Sequence, residues 1–365
     1  ERPFARQVAE QFGAEFTGYE YDGSEIEDFP RMVWYLDEPF MENGLFLTNA
    51  GFRESSPHVD MVIAGNGADQ LFGTGGFAGG KPLAGRYLLD QLHCRPLGAW
   101  LRRRLKSDVF YGDNACFKTK ALLGRMVDYN DWFFWGFDDH ELDSYLRYRV
   151  TPADIRCFKN KPDRPDRPVG SFPELKEWSA VVNDLEHYVC QNVLTKSSRM
   201  AECYGVQLRE AYLDSEVIDF LLSLEIAIRS RGTMMDHLRG RAVSKLIHRH
   251  AMADVLPQNI LTRPKQGGFV PLRMLLLQTH KRRAVFDYLA HSRAITEFFK
   301  PDMVKRLLAE CDSLYGRQQV WPVFFDCKIN QVMNMLSLAV WYDVVYTGEG
   351  AVAPPGVNLT ELIGG

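Results

Sequence analysis

The 365-residue sequence contains no apolar run near the ~20 residues that a membrane-spanning helix requires, because stretches such as 220–224 are interrupted within a turn or two. It has no excess of cations either: 43 Lys and Arg stand against 47 Asp and Glu, for a formal net charge of -4. Proteins that bind a phosphate backbone concentrate basic residues, so neither nucleic acid nor a membrane is an expected partner. There is no CxxC pair. The seven cysteines (Cys94, Cys116, Cys157, Cys190, Cys203, Cys311, Cys327) are odd in number and scattered, which argues against a zinc site and against a dense disulfide framework. Reduced, mostly buried thiols in a cytoplasmic protein are the expectation. His248 and His250 lie two apart, so a helix would point them to different sides. No secretory signal pattern and no internal repeat is seen, and the first residue is Glu1 rather than Met, which reads as a fragment or a processed product.

What is present is ordinary globular material, 46% hydrophobic and 25% charged, enough for one large core or two smaller ones. Phe4, Val8 and Phe12 recur at helical spacing, with Gly13 where a left-handed cap would end the helix. Residues 15–21 read as a strand, 25–36 as a helix stopping before Pro39, and 45–54 as another helix. The run 60–64 (DMVIA) reads as a short buried parallel strand. Alternating helix and strand with short connections predicts an α/β layer. After Gly80, residues 83–105, 139–148, 174–199, 216–224, 240–250 and 272–289 read as helices and strand signals nearly vanish. Asp214 or Ser215 should cap one of them, with Val217, Phe220, Leu221 and Leu224 as its apolar stripe. Residues 159–170 (KNKPDRPDRPVG) read as an exposed loop, and the Gly- and Pro-rich tail after Thr347 as frayed. The expected organisation is an α/β part at 1–80, a mainly helical part at 81–345 and a tail at 346–365.

Four stretches carry chemistry. In 61–73 (MVIAGNGADQLFG) an apolar strand runs into Gly65-Asn66-Gly67 and then Asp69. Glycines after a strand let backbone N–H groups approach an anion, and an adjacent carboxylate suits a Mg2+ that bridges phosphates. The competing reading is a tight turn with Asp69 as a helix cap. In 194–214 (LTKSSRMAECYGVQLREAYLD), Lys196 and Arg199 share a helical face, and Arg209 follows. In 245–249 (KLIHR), Lys245 and Arg249 do the same. In 263–271 (RPKQGGFVP), Lys265 sits on a loop stiffened by Pro264 and Pro271 and loosened by Gly267 and Gly268. Any one of the basic segments, taken alone, reads first as a solvated basic face. Together they suit the charge of a triphosphate or pyrophosphate.

In this order the four stretches resemble the synthetase domain of the asparagine synthetase family. Its S-G-E/D-G-x-D-E-x-F-G motif corresponds to Ala64-Gly65-Asn66-Gly67-Ala68-Asp69-Gln70-Leu71-Phe72-Gly73. K-x-D-R and E-V-R-x-P-F-L-D correspond to Lys196-Ser197-Ser198-Arg199 and to Gln207 through Asp214, without a gap. K-x-x-x-R, L-P and R-x-K-x-G-F fall on Lys245 and Arg249, Leu256-Pro257, and Arg263 through Phe269 with one extra residue. Asp37-Glu38-Pro39 looks like the family's D-E-P. The resemblance spans roughly residues 1–345. It implies an α/β fold that is the remnant of a parallel sheet with flanking helices, of the adenine-nucleotide α-hydrolase kind, followed by a large helical part. It also implies ATP and Mg2+: activation of a small-molecule or peptide carboxylate as an acyl-adenylate with release of pyrophosphate, then attack by an amine or ammonia. By the same resemblance Asp69 would bind Mg2+, and Ala64, Gly65, Asn66 and Gly67 would line the nucleotide and pyrophosphate. Arg199 would lie in the same pocket, and Lys245 and Lys265 would hold phosphates and act in catalysis.

The departures are as informative. The family's S-G-G-x-D-S loop is absent and is expected upstream of Glu1, as is any glutaminase domain. Four acidic positions of the family are neutral here, at Asn66, Gln70, Ser198 and Gln207. An amide cannot act as a general base. That leaves three readings open: an asparagine-synthetase-like ligase, an isopeptide cyclase of the lasso-peptide kind on the same fold, and a degenerate non-catalytic domain that binds a nucleotide or a partner.

Overall fold

The computed structural model describes residues 2–73, 81–104, 119, 122–124, 126–127, 136–137, 139–149, 170–263, 270–317, 322–348 and 354–364. Helix α1 (Arg2–Gln11) ends as expected, with Gly13 left-handed at φ 64. A 3-10 turn, Ser24–Asp28, runs into α2 (Phe29–Leu36), and α3 is Leu45–Ser55. Asp37, not a glycine, takes the left-handed position that ends α2 (φ 59), its N–H returning to Val33 and Trp34. Strand β1 (Met61–Ala64) follows, then the one-turn helix α4 (Ala68–Leu71).

The partner of β1 comes from far along the chain. Strand β2 (Gln207–Glu210) runs parallel to it, with Met61 opposite Gln207 and Ala64 opposite Glu210. Both strands therefore end on the same side, where the loops that follow them meet. The fold is an α/β unit with a small parallel sheet, joined to a mainly helical part that contributes one of its two described strands.

The largest apolar core among the described residues joins side chains of α2, α3 and the helix Pro322–Trp341: Phe29, Met32, Phe46, Ile329, Val332 and Leu336 are all at 0% exposure. A second cluster lies directly under the strand ends and joins Leu71 and Phe72 to Leu185, Val189 and Leu221. A third joins Leu83 and Ala84 to Phe172 and Leu175.

Several expectations are corrected. Residues 15–21 form no strand, and β2, with Leu208 as its lone apolar residue, was not expected. β1 is not buried on both faces, since Met61 and Ile63 are 47% and 69% exposed. The expected helix at 83–105 is two, α5 (Lys81–Gln91) and α6 (Arg95–Arg104), broken where His93 turns left-handed at φ 53. The one at 240–250 starts only at Leu246, because Val243 is bridged antiparallel to Arg231. That at 272–289 is a 3-10 turn, Leu272–Met274, followed by the helix Thr279–His291. Asp214 does cap Ser215–Ser223 by accepting from Glu216 N at 2.9 Å, but Phe220 is exposed and Ile218 packs inward instead. The described end of the tail, 354–364, is docked rather than frayed: Leu359 is buried, and Thr360 donates to Glu27 from its backbone and its hydroxyl. Of the loop expected at 159–170, all but Gly170 lies outside the described residues. The five described cysteines are in no disulfide, and Cys203, Cys311 and Cys327 are buried. Among the described residues no helix is long and apolar enough to cross a membrane.

Candidate active site

The site is built where β1 and β2 end. After Ala64 the chain turns through Gly65, Asn66 and Gly67, and Gly67 sits at φ 83. A Cβ at Gly67 would stand 2.3 Å from Leu213 Cδ2, so glycine is required both for the backbone and for the close approach of the segment leaving β2. Across this contact the Asn66 amide donates to Glu210 Oε1 at 2.9 Å and lies 3.5 Å from Ser197 Oγ. The other carboxylate oxygen of Glu210 is buried without a hydrogen-bond partner.

Gly67 holds the N-cap position of α4, and Asp69 lies in its first turn. The Asp69 carboxylate pairs with Lys245 Nζ at 2.8 Å, both side chains being about one-third exposed. Lys245 has a left-handed backbone, φ 54 and ψ 37, just before the helix Leu246–Ala251. Its N–H donates to Phe72 O at 3.2 Å, which ties it to the end of the glycine-loop motif. Side chains reinforce the link. The Phe72 ring meets Tyr212 edge-on at 5.6 Å and His248 at 4.8 Å, and the Tyr212 hydroxyl is 3.1 Å from His248 Nε2. Burial, and then the Lys245 charge, hold His248 below the usual imidazole range, so the ring stays neutral beside the ammonium. His250, two residues on, faces solvent.

The expected residues are therefore partly assembled. Ala64, Gly65, Asn66, Gly67, Asp69 and Lys245 converge at the strand ends. Arg199 does not join them in any described contact: it is about half-exposed and pairs with Glu202 at 3.1 Å. Its neighbour Lys196 turns inward and pairs with Glu42, which also accepts from Gly44 N at 2.9 Å and from Tyr188 Oη at 3.4 Å. Lys265 lies outside the described residues. Of the four neutral positions, Asn66 belongs to the loop and Gln70 to α4, where it is buried. Ser198 and Gln207 are exposed, and the Ser198 hydroxyl bonds back to Leu194 O at 2.7 Å.

Two acids escaped the sequence reading, Glu42 and Glu210. Glu42 stands three residues after Pro39 with no local pattern to mark it, and Glu210 is visible only once β2 is placed beside β1. Magnesium prefers hard oxygen donors and usually takes one or two protein carboxylates, completing its shell with substrate phosphates and water. Asp69, part-exposed at the mouth of the glycine loop, suits that role. Among the described residues no set of three or more His, Cys, Asp and Glu side chains is placed to form an all-protein metal cage.

A family model for asparagine synthase matches residues 1–343. A protein of Mycobacterium tuberculosis described as a putative asparagine synthetase (glutamine-hydrolyzing) is 28% identical over 270 residues, covering 73% of this chain and 38% of its own length. Its Mycobacterium bovis counterpart aligns to the same extent. Asparagine synthetase (glutamine-hydrolyzing) 1 of Bacillus subtilis is 21% identical over 316 residues, 82% of this chain and 44% of that protein. The chain spans less than half the length of these relatives.

Proposed function

The chain belongs to the asparagine synthase family, and on that premise we propose that it is an ATP-dependent ligase that activates a carboxylate as an acyl-adenylate and passes it to an amine. The observation that carries this reading is the Asp69–Lys245 pair at the common end of two parallel strands, held by a left-handed Lys245 backbone. A carboxylate and an ammonium kept together at an open loop are each ready for a stronger partner. When ATP enters with Mg2+, Asp69 would hold the metal and Lys245 the phosphates. Bound there, Mg2+ would spread the charge of the phosphate oxygens. The carboxylate oxygen of the acyl substrate attacks the α-phosphorus, the bond to the β-phosphate breaks, and pyrophosphate leaves with its charge met by Lys245. The loop Ala64–Gly67 brings backbone close to that nucleotide, and Lys265 is proposed as a second phosphate contact.

The amine half needs a proton acceptor. Asn66 cannot serve, but Glu210 reaches the same place from the neighbouring strand and has one oxygen uncommitted. The neutral amine attacks the acyl carbon, the bond from that carbon to the AMP phosphate oxygen breaks, AMP leaves, and Glu210 takes the proton that the nitrogen loses as the amide forms. The relatives carry "glutamine-hydrolyzing" in their names, which makes ammonia from glutamine the first amine to test. The amides at Asn66 and Gln70 favour a second reading, a peptide carboxylate closed onto an amine of the same peptide.

The test uses the full-length protein with MgATP and L-aspartate, a panel of other carboxylates, and ammonia or glutamine. Pyrophosphate exchange reads the first half-reaction and amide formation reads the second. Glu210→Gln should keep exchange within about threefold and lower amide formation by about 100-fold or more, the usual worth of a general base. Equal amide formation in wild type and Glu210→Gln would remove Glu210 from the mechanism, and absence of exchange with every carboxylate would remove the mechanism itself.

A further inference from the structure

A cavity of about 170 Å3 adjoins the glycine-loop motif at Gly73, its last residue. Lys176, His237 and the turn around Gly240 and Ala242–Ser244 complete its walls, and Ser244 immediately precedes Lys245. Lys176, on the helix Phe172–Trp178, is only 3% exposed and donates to the Ser230 hydroxyl. An ammonium has three N–H donors, so that bond leaves it capacity. His237 is 7% exposed, packs edge-on against Phe172 at 5.2 Å, and its Nε2 has no hydrogen-bond partner.

Among the described residues the charges around this cavity do not cancel. Arg229, 1% exposed, donates to Leu71 O at 3.0 Å and pairs with Glu177 Oε1 at 2.5 Å. Glu177 is thus committed to Arg229. Asp236 is committed to Thr233 N at 3.0 Å, Thr233 Oγ1 at 2.7 Å and Arg241 at 3.2 Å. Two buried cations share one carboxylate, and Lys176 borders open space large enough for several water-sized groups. A buried ammonium that shares its carboxylate, Glu177, with an arginine is only partly compensated, and a small anion beside it lowers the remaining cost. Burial, followed by the Arg229 charge, lowers Lys176 to about 8, so it keeps its proton at neutral pH. Burial, followed by Lys176, lowers His237 to about 4, so the ring is neutral and carries one N–H.

We propose that this cavity is a binding site for one small oxyanion, a carboxylate or inorganic phosphate, held by Lys176 with His237 as its second polar wall. It is separate from the Asp69–Lys245 site, although both are built on the segment that ends at Gly73.

The test is calorimetric titration of the intact protein with sodium acetate and, separately, sodium phosphate, at an ionic strength held constant with sodium chloride. One-site saturable binding of at least one of the two is expected, and comparing them identifies the source of the oxyanion. Loss of a charge-assisted contact should weaken it about tenfold or more in Lys176→Met. The exposed Lys305→Ala variant should leave it unchanged. No saturable binding, binding untouched in Lys176→Met, or binding weakened as much in Lys305→Ala as in Lys176→Met would each overturn the assignment. Should Lys176→Met fail to fold, wild-type crystals soaked in phosphate decide the matter. Density on Lys176 and His237 supports the site, and density only elsewhere, an adventitious ion only, rejects it.

Discussion

Lys245 has a left-handed backbone that costs a non-glycine residue about 1 kcal/mol or more, a strain shared among the described non-glycine residues only by Asp37 and His93. Asp37 ends a helix and His93 breaks one, so their strain has a local cause. That of Lys245 aims an ammonium at Asp69. Its side chain and its backbone therefore make opposite demands, and two substitutions separate them. Lys245→Gly and Lys245→Ala both remove the ammonium and should both lose pyrophosphate formation. Glycine alone relieves the strain, so Lys245→Gly should be more stable than Lys245→Ala by about 1 kcal/mol in urea unfolding. Equal stabilities would mean that the left-handed geometry carries no strain. Much of this residue scale was legible. Asp69 and Lys245 follow from an apolar run, a glycine loop and a basic pair. The left-handed conformation was not, because a lysine in that region carries no mark in the sequence. Nor was Glu210, whose role depends on a strand pairing across more than 140 residues.

At the scale of elements, the helix Pro322–Trp341 is the centre of the main core, yet no simple periodicity announces it. It is buried nearly all round and carries Asp326, Lys328, Asn330 and Gln331 at 1–3% exposure among its apolar residues, which blurs the amphipathic pattern by which surface helices are read. β2 is obscure for the opposite reason, since QLRE offers a single apolar side chain. Asp326 makes the helix sensitive to pH. Its nearest cation among the described residues, Arg273, stands 3.6 Å away, and burial pushes the carboxyl from 3.8 up to about 6 despite the opposing pull of Arg273. Because the folded state holds this proton more tightly than the unfolded state, stability from this group falls as pH rises from about 4 to about 6, and the penalty is full above that. Asp326→Asn should therefore be the more stable protein at pH 7, by on the order of 2 kcal/mol, with the gap closing near pH 4. A gap independent of pH in urea titrations would show that Asp326 is not held protonated by burial.

At the scale of the whole molecule, a strand after the glycine loop's own half of the chain completes the sheet, and a second core cluster supports the place where both strands end. That an α/β beginning is followed by a helical part was readable from the change in periodicity along the chain. The return of one strand to the first sheet was not, since a single four-residue strand is below what periodicity can resolve. That return makes the site a joint product of distant segments: Asp69 from α4, Glu210 from β2 and Lys245 from the turn before Leu246. The central claim, that this junction splits ATP between its α- and β-phosphates, is tested most directly by following ATP with phosphorus NMR in the full-length protein, with Mg2+ and the carboxylate panel, for wild type, Asp69→Asn and Lys245→Ala. The account predicts AMP and pyrophosphate in equal amounts, reduced about 100-fold or more in each variant. ADP with inorganic phosphate, or pyrophosphate release unchanged in both variants, would contradict it.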